Sequence, residues 1–210
     1  MVKKTKQEPK ARPDRRQKIV KAAIQCFIKS GVAQTKISEV AAKAGVDQPL
    51  ISYYFSTLEN LHEAVIIDVL SVLREASIRP IEEHSNDMIR ALTQYIRAPF
   101  EFAQNQAGLF SIWMYFYYLA SYSTKFVELN SQIREAGRNR ISVIIYTGIE
   151  SGVFSVHKSM SVSDVAIAIQ GIITGNTIMV GTEKNESFEK YIRITTEASL
   201  ALLGVYKKIS

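Results

Sequence analysis

The 210-residue sequence predicts an all-α protein. Apolar residues recur at i, i+3, i+4 and i+7 in one segment after another, which is the period of amphipathic helices. Strict alternation of apolar and polar residues, the mark of a half-buried strand, is scarce. Between residues 37 and 61 two short helical segments are joined through a glycine, a spacing typical of a helix-turn-helix.

The chain begins with a basic segment. Residues 1–18 carry eight basic and two acidic side chains, which accounts for the whole net charge of +6. Because residues 1–13 contain two prolines and few apolar side chains, we expect a disordered cationic arm there. A first helix is predicted over residues 14–30, with Ile19, Ala23 and Phe27 facing the core.

The second and third helices carry the most specific pattern in the chain. One apolar stripe at helical spacing marks the second helix: Ile37, Val40, Ala41 and Ala44. Gly45 follows at the corner, where the backbone usually needs a positive φ. We expect Thr35 to cap the second helix and Asp47 to cap the third, with Pro49 in its first turn.

The third helix turns a polar and aromatic face outward. Its inner positions are Ile51, Tyr54 and Phe55. An outward face with amide, hydroxyl and aromatic groups, in a basic protein, suits the major groove of double-stranded DNA. Gln48 is the best base reader, since its amide can pair bidentately with adenine. The predicted DNA-binding surface is Thr35, Lys36, Gln48, Pro49, Leu50, Ser52, Tyr53 and Tyr54.

Residues 16–64 resemble the DNA-binding domain of the tetracycline-repressor (TetR) family of bacterial regulators. The matching residues are Ile19, Ala23, Phe27, Gly31, Thr35, Ile37, Val40, Ala41, Ala44, Gly45, Val46, Ile51, Tyr54, Phe55 and Leu61. Three residues depart from the family pattern: Lys36 replaces Ser or Thr, Ser52 replaces Tyr, and Leu58 replaces a phosphate-binding lysine. The resemblance implies a homodimeric regulator, most often a repressor, that leaves a near-palindromic operator when a small effector binds.

The rest of the chain is predicted to be a helical ligand-binding and dimerisation domain. The expected division is a basic arm at 1–13, the helix-turn-helix domain at 14–57 and the helical domain at 58–210. A long helix starting at Leu58 is expected to end or kink at Pro80, and the next helix to break at Pro99. Further helices are expected over about 106–121, 125–152, 162–182 and 187–208. No Gly/Ser linker follows residue 57, so the long helix is the expected route for a signal.

A charge-free segment at 165–182 predicts the dimer interface. Its small residues allow two helices to approach closely, at Ala166 and at the predicted interface positions Ala168, Gly171 and Gly175. An internal helix crossing would use the same small residues. Polar residues interrupt the segment, which favours an interface helix over a membrane helix: Gln170, Thr174, Asn176 and Thr177.

Aromatic residues concentrate between 110 and 118, where six of nine positions are Phe, Trp or Tyr. One helical face cannot bury them all, so we predict an effector pocket lined by Tyr95, Phe102, Trp113, Phe116 and Tyr117, with ordinary core packing as the alternative for each ring. The segment 109–139 is similar to the betaine-regulator branch of the family, in residues Ile112, Trp113, Phe116, Tyr117, Arg134 and Arg138. The expected effector is an apolar or aromatic molecule, or a quaternary ammonium held by cation–π attraction.

No pattern of a catalytic, cofactor or metal site occurs in the sequence, so neither an enzyme nor a cofactor is expected. A single cysteine, Cys26, and a basic N-terminus without a following apolar run indicate a cytoplasmic protein. A helical adaptor of the same fold without specific DNA binding is the alternative function, and Leu58 is the residue that favours it.

Overall fold

The computed structural model describes residues 15–206, so the predicted arm at 1–13 lies outside the described residues. Within 15–206 the chain forms nine α-helices and no strand, which confirms the all-α prediction. The chain divides into two compact units, Met1–Asp68 and Val69–Ser210. The division falls inside one long helix, eleven residues beyond the start of that helix at Leu58.

The first unit holds α1 (Arg15–Ser30), α2 (Ile37–Ala44), α3 (Gln48–Tyr54) and the first turns of α4 (Leu58–Glu83). Its apolar residues converge on one buried core: Ile19, Ala23, Phe27, Val40, Ala41, Ala44, Ile51, Phe55, Leu61 and Val65. A polar contact adds to this packing, because the Gln17 amide donates to the Asp68 carboxylate at 2.6 Å and joins α1 to α4.

The corner between α2 and α3 is made by Gly45, which adopts the left-handed conformation at φ 61° and ψ 46°. The Val46 amide then donates to the Ala41 carbonyl at 3.1 Å, and the Gly45 amide to the Ala42 carbonyl at 3.2 Å. These bonds satisfy carbonyls that the helix end would otherwise leave unpaired. A residue with a Cβ would be strained at this φ, which is why glycine is found here.

The predicted cap of α2 is wrong, and the predicted cap of α3 is right in position but makes no capping bond. Lys36, not Thr35, is the N-cap residue of α2, and the Thr35 hydroxyl donates back to the Gly31 carbonyl at 2.8 Å. Lysine has no acceptor atom, so the cap is made from the other side: the Lys36 amide donates to the Glu39 carboxylate at 3.3 Å. Asp47 occupies the N-cap position of α3, but its side chain makes no capping bond.

The second unit holds the rest of α4 followed by α5 (Met88–Asn105), α6 (Ala107–Leu119), α7 (Thr124–Glu150), α8 (Val162–Thr182) and α9 (Phe188–Leu202). Buried residues of α5, α7, α8 and α9 form its main core, among them Leu92, Ile96, Ile141, Ile145, Ile169 and Ile192. The predicted start of α8 is confirmed: the Asp164 amide donates to the Ser161 hydroxyl at 3.1 Å and the Ser161 amide donates to the Asp164 carboxylate at 2.9 Å.

The predictions that Pro80 ends its helix and that Pro99 breaks its helix are wrong, because α4 runs on to Glu83 and α5 to Asn105. A kink at Pro80 stays a prediction. Each proline removes one helical hydrogen bond, but packing on the following residues offsets that loss. Ile81 packs against the main core after Pro80, and Phe100 is fully buried after Pro99.

Candidate nucleic-acid interface and aromatic site

Helix α3 presents one face to the core of its unit and the other to solvent. Ile51 and the following Phe55 are buried. The opposite face is exposed at Gln48, Pro49, Ser52 and Tyr53, whereas Leu50 and Tyr54 are half-buried. A seven-residue helix held by a glycine corner therefore offers an amide, a hydroxyl and a phenol group to a partner.

The side chains predicted to contact phosphate differ in their solvent exposure and in the hydrogen bonds they already make. Tyr53 is 79% exposed, and its ring meets the Tyr54 ring edge-on at 5.3 Å. Lys36 is exposed at the start of α2, whereas the Thr35 hydroxyl hydrogen is already used on Gly31. Leu58 is 50% exposed at the start of α4, so an apolar side chain faces solvent at that position.

In the second unit, four of the five predicted pocket residues form one chain of ring contacts. The Trp113 ring centroid lies 6.3 Å from that of Phe102 and 5.7 Å from that of Tyr117. Tyr117 in turn lies 6.2 Å from Phe116. Phe116 also packs edge-on against Phe126 at 6.3 Å and is fully buried, as expected of a core residue.

The fifth residue, Tyr95, is held by α7. Its hydroxyl donates to the Gly137 carbonyl at 3.3 Å and hydrogen-bonds the Arg140 guanidinium. Burial raises the pKa of Tyr95, and the positive charge of Arg140 opposes that rise only in part. Burial likewise raises the pKa of Tyr117, against the opposing effects of the Arg134 charge and a hydrogen bond with Thr174. Both phenols are therefore neutral at ordinary pH.

Helix α8 lines the same region with a polar stripe. The Gln170 amide donates to the Arg134 carbonyl at 3.0 Å, and Thr174, one turn further on, bonds Tyr117. Gly181 continues this face, where an added Cβ would meet the Phe110 ring. Thr177 lies between Thr174 and Gly181 on the stripe, because these positions follow the helical period. It is fully buried, and its hydroxyl has no hydrogen-bond partner among the described residues.

The predicted interface residues of α8 lie on its outer side. Gly171 and Gly175 are exposed, and a Cβ added at either would meet no atom of another helix within 4 Å among residues 15–206. The same side carries Ile167, 51% exposed, and Met179, 47% exposed, with Ala168 half-buried beside them. Ala166 is fully buried in the main core and does not belong to this side.

Helix α8 is also, within residues 15–206, the one helix long and apolar enough to cross a membrane by length and composition. Core helices of other proteins pass the same test, and α8 has six buried residues packed in its own unit: Val165, Ala166, Ile169, Ile173, Thr177 and Val180.

The first unit is the part of the chain that decides the family. A family model described as "Bacterial regulatory proteins, tetR family" matches residues 19–65, which span α1, the helix-turn-helix and the start of α4. Residues 19–65 therefore belong to the TetR family. Proteins of this family are DNA-binding transcriptional regulators and not enzymes.

Two named relatives of this chain are BetI regulators. The HTH-type transcriptional regulator BetI of Stenotrophomonas maltophilia is 23% identical over 117 residues, which cover 56% of this chain and 60% of that protein. BetI 2 of Chromohalobacter salexigens is 34% identical over 64 residues, 30% of this chain and 31% of that protein. The matched region thus spans less than two thirds of either relative.

Solved structures of transcriptional regulators share the fold over most of the chain. A TetR transcription regulator from Haloarcula marismortui has a TM-score of 0.74 at 18% identity and covers 91% of this chain and 97% of its own. A transcriptional regulator from Rhodococcus sp. has a TM-score of 0.71 at 17% identity, with coverages of 91% and 99%. At such identities the likeness concerns the fold alone.

Sequence reasoning missed the polar groups around the aromatic rings. Gln170, Thr174 and Thr177 were visible as interruptions of an apolar helix, and their helical spacing is a signal that they share one face. Arg134 appeared in the sequence only as part of the betaine-branch resemblance, and Arg140 gave no signal, because a single sequence does not tell which arginine on a helix reaches a buried phenol.

Proposed function

We propose that this TetR-family protein is a cytoplasmic, homodimeric transcriptional repressor. It binds a near-palindromic operator through α3 of each protomer and leaves the operator when a small molecule binds among the aromatic residues of its second unit. The three parts of the proposal rest on different residues and are tested separately.

The exposed face of α3 is the observation that carries DNA recognition. Gln48 is at the first position of the helix, where recognition helices present base-reading side chains, and its amide matches the N6 and N7 edge of adenine. Pro49 and Leu50 suit a thymine methyl group, and the exposed Lys36 and Tyr53 suit phosphate. Ser52 and Tyr54 flank this set, and Thr35 can join it if its hydroxyl turns away from Gly31.

The outer side of α8 supports the dimer. An apolar surface without charge, with glycines that allow close backbone approach, suits a second copy of the same helix better than water. A two-fold dimer presents two copies of α3, and such a pair reads two inverted half-sites about one helical turn of DNA apart. The predicted interface residues Ala168, Gly171 and Gly175 would lie at its centre.

The aromatic cluster supports an effector with an apolar body. Trp113, Phe102 and Tyr117 offer flat surfaces, and Tyr95 and Phe116 bound the cluster. Because α4 is a single helix from Leu58 to Glu83, strain in its later turns can be passed to its first turns. Release of DNA then requires only that the effector bind one conformation more tightly than the other.

The decisive experiment is selection of binding sites from random duplex DNA, followed by gel shifts on the enriched sequence. A near-palindrome bound by two protomers is the expected result. The alternative function, a helical adaptor that does not bind specific DNA, has one observation in its favour, the exposed Leu58 in place of a phosphate-binding lysine. Enrichment of no sequence would favour the adaptor.

Effector binding is tested by quenching of Trp113, the single tryptophan, with operator release measured in the same samples. Active compounds should quench the wild type and release the operator. A Trp113→Ala, Tyr117→Ala double variant should keep the operator and lose the response. Equal release from both proteins would put the effector site elsewhere.

A further inference from the structure

The charged groups that act on the two phenols of the aromatic cluster are both arginines of α7. They lie three residues before and three residues after Gly137, whose carbonyl accepts from the Tyr95 hydroxyl. Arg140 hydrogen-bonds Tyr95, and Arg134 is the charged group whose field acts on Tyr117. No carboxylate influences either phenol, although a nearby carboxylate would have added to the rise of their pKa values. An effector cation would therefore meet two guanidinium groups and no counter-ion.

These two arginines also lack acidic partners. In the part of the chain described, residues 15–206, neither Arg134 nor Arg140 lies within 4.0 Å of an Asp or Glu oxygen, whereas Arg97 and Arg193 both do. Guanidinium groups present five fixed donors that match a carboxylate in pairs. Arg134 and Arg140 thus keep donors available beside a buried aromatic surface.

The buried Thr177 hydroxyl is a second, independent sign of a ligand. Most buried hydroxyl groups are paired, and an unpaired one destabilises the protein unless something bonds it. Thr177 is one turn along α8 from Thr174, whose hydroxyl is bonded to Tyr117. A ligand lying against Tyr117 would therefore lie beside the stripe at Thr174, one helical turn from Thr177.

We propose that the effector is an apolar carboxylate: its body lies against Trp113 and Tyr117, and its carboxylate is held by Arg134 and Arg140 on α7. This inference rests on the proposed effector site and specifies its ligand class. It selects an anion over the quaternary ammonium compounds that the betaine-branch resemblance suggests.

Two matched sets of probes test the ligand class. One set is 2-naphthoate, 2-naphthalenemethanol and a naphthyl trimethylammonium; the other is octanoate, octanol and octyltrimethylammonium, all used below their micelle concentrations. Binding is followed by Trp113 quenching and by the shift of the melting temperature. We expect the carboxylate to bind tightest in at least one set, by about tenfold or more over the ammonium. A preference for the ammonium in both sets, or no binding of any carboxylate, overturns the proposal.

Two arginine variants test whether Arg134 and Arg140 bind the carboxylate of the ligand. Arg134→Gln alters an exposed side chain, and Arg140→Gln keeps a donor for Tyr95. Each should weaken carboxylate binding by about tenfold to a hundredfold and leave the alcohol of the same set unchanged. Arg193→Gln, on α9, is the matched control and should change neither. Equal weakening of carboxylate and alcohol would mean that the arginines only support the fold, against the proposal.

Operator binding, measured in the same samples, distinguishes a failure of the proposed ligand class from a failure of the proposed repressor function. A wild type that binds its operator but ignores every carboxylate refutes the ligand class and leaves the repressor intact. A wild type that binds carboxylates but no DNA refutes the repressor and keeps the ligand class.

Discussion

Helices α3 and α8 each leave one side open to solvent, but the chemistry of the two sides is opposite. The exposed side of α3 carries Gln48, Ser52 and Tyr53, all able to form hydrogen bonds. The exposed side of α8 carries Ile167, Met179 and two glycines, Gly171 and Gly175, at which an added Cβ would have open space within the described part of the chain. Both helices use their inner sides in the same way, to bury aliphatic residues.

The exposed side of a helix indicates the kind of partner it binds, because its side chains must gain more from that partner than from water. Polar groups on α3 can trade hydrogen bonds with water for those with base edges and phosphates. The outer side of α8 has no such groups and gains only by contact with another apolar surface. Four predictions test this difference between α3 and α8, in order of decreasing expected effect.

Gly171→Leu should separate the dimer. A leucine here has open space in a single chain, so folding should be unaffected, whereas a partner helix would be pushed away. Loss of the second half-site contact should lower operator affinity by roughly 10²- to 10⁴-fold. Light scattering and gel shifts give the two readouts. Ala136→Leu, an exposed small residue on α7, is the control and should stay dimeric. A dimeric Gly171→Leu protein would move the interface off α8.

Gln48→Ala should cost about 1–3 kcal/mol of operator binding and relax preference at one base per half-site. The loss should be confined to one position, because the amide is assigned to one adenine. Site selection repeated with the variant measures it. Gln25→Ala, an exposed glutamine on α1, should leave preference unchanged. Unaltered preference in Gln48→Ala would mean that α3 enters the groove in another register.

Lys36→Ala should weaken binding to all sequences alike and reduce the slope of log affinity against log salt by about one. Stability should hardly change, since the side chain makes no capping bond. The converse change, Leu58→Lys, should steepen the slope, because it adds a cation at an exposed helix start. Titrations of operator DNA at several salt concentrations measure the slope for each variant. A sequence-selective loss in Lys36→Ala would contradict a phosphate contact.

Thr177→Val should raise the stability of the ligand-free protein by about 1 kcal/mol, because it removes a buried hydroxyl without a partner. The matched Thr174→Val should lower stability by a similar amount, since its hydroxyl is bonded to Tyr117. For a chain of this size the melting temperatures should move apart by roughly 4–8 °C, which thermal unfolding measures directly. Equal destabilisation of both variants would show that Thr177 is paired.

Much of the fold was predictable because local signals and packing agree. The stripe from Ile37 to Ala44 and the single glycine after it determine α2 and its corner, since only glycine adopts φ 61° without strain. The helix ends at the two prolines were predicted wrongly, because there the local signal and the packing disagree. Pro80 and Pro99 are locally unfavourable in helices, and burial of neighbours such as Phe100, which lies far from its contacts in sequence, decides against that local preference.

The family, the all-α class and the outward residues of α3 follow from the sequence alone. They depend on side-chain periodicity and on the left-handed conformation of Gly45. The tertiary structure alone decided which polar groups surround the aromatic rings. Thr174 bonds Tyr117, whereas Thr177 bonds no group among residues 15–206, although both are threonines on the same face of one helix. That difference depends on where α6 places Tyr117 against α8, and no local rule of sequence specifies the distance between two side chains 57 residues apart.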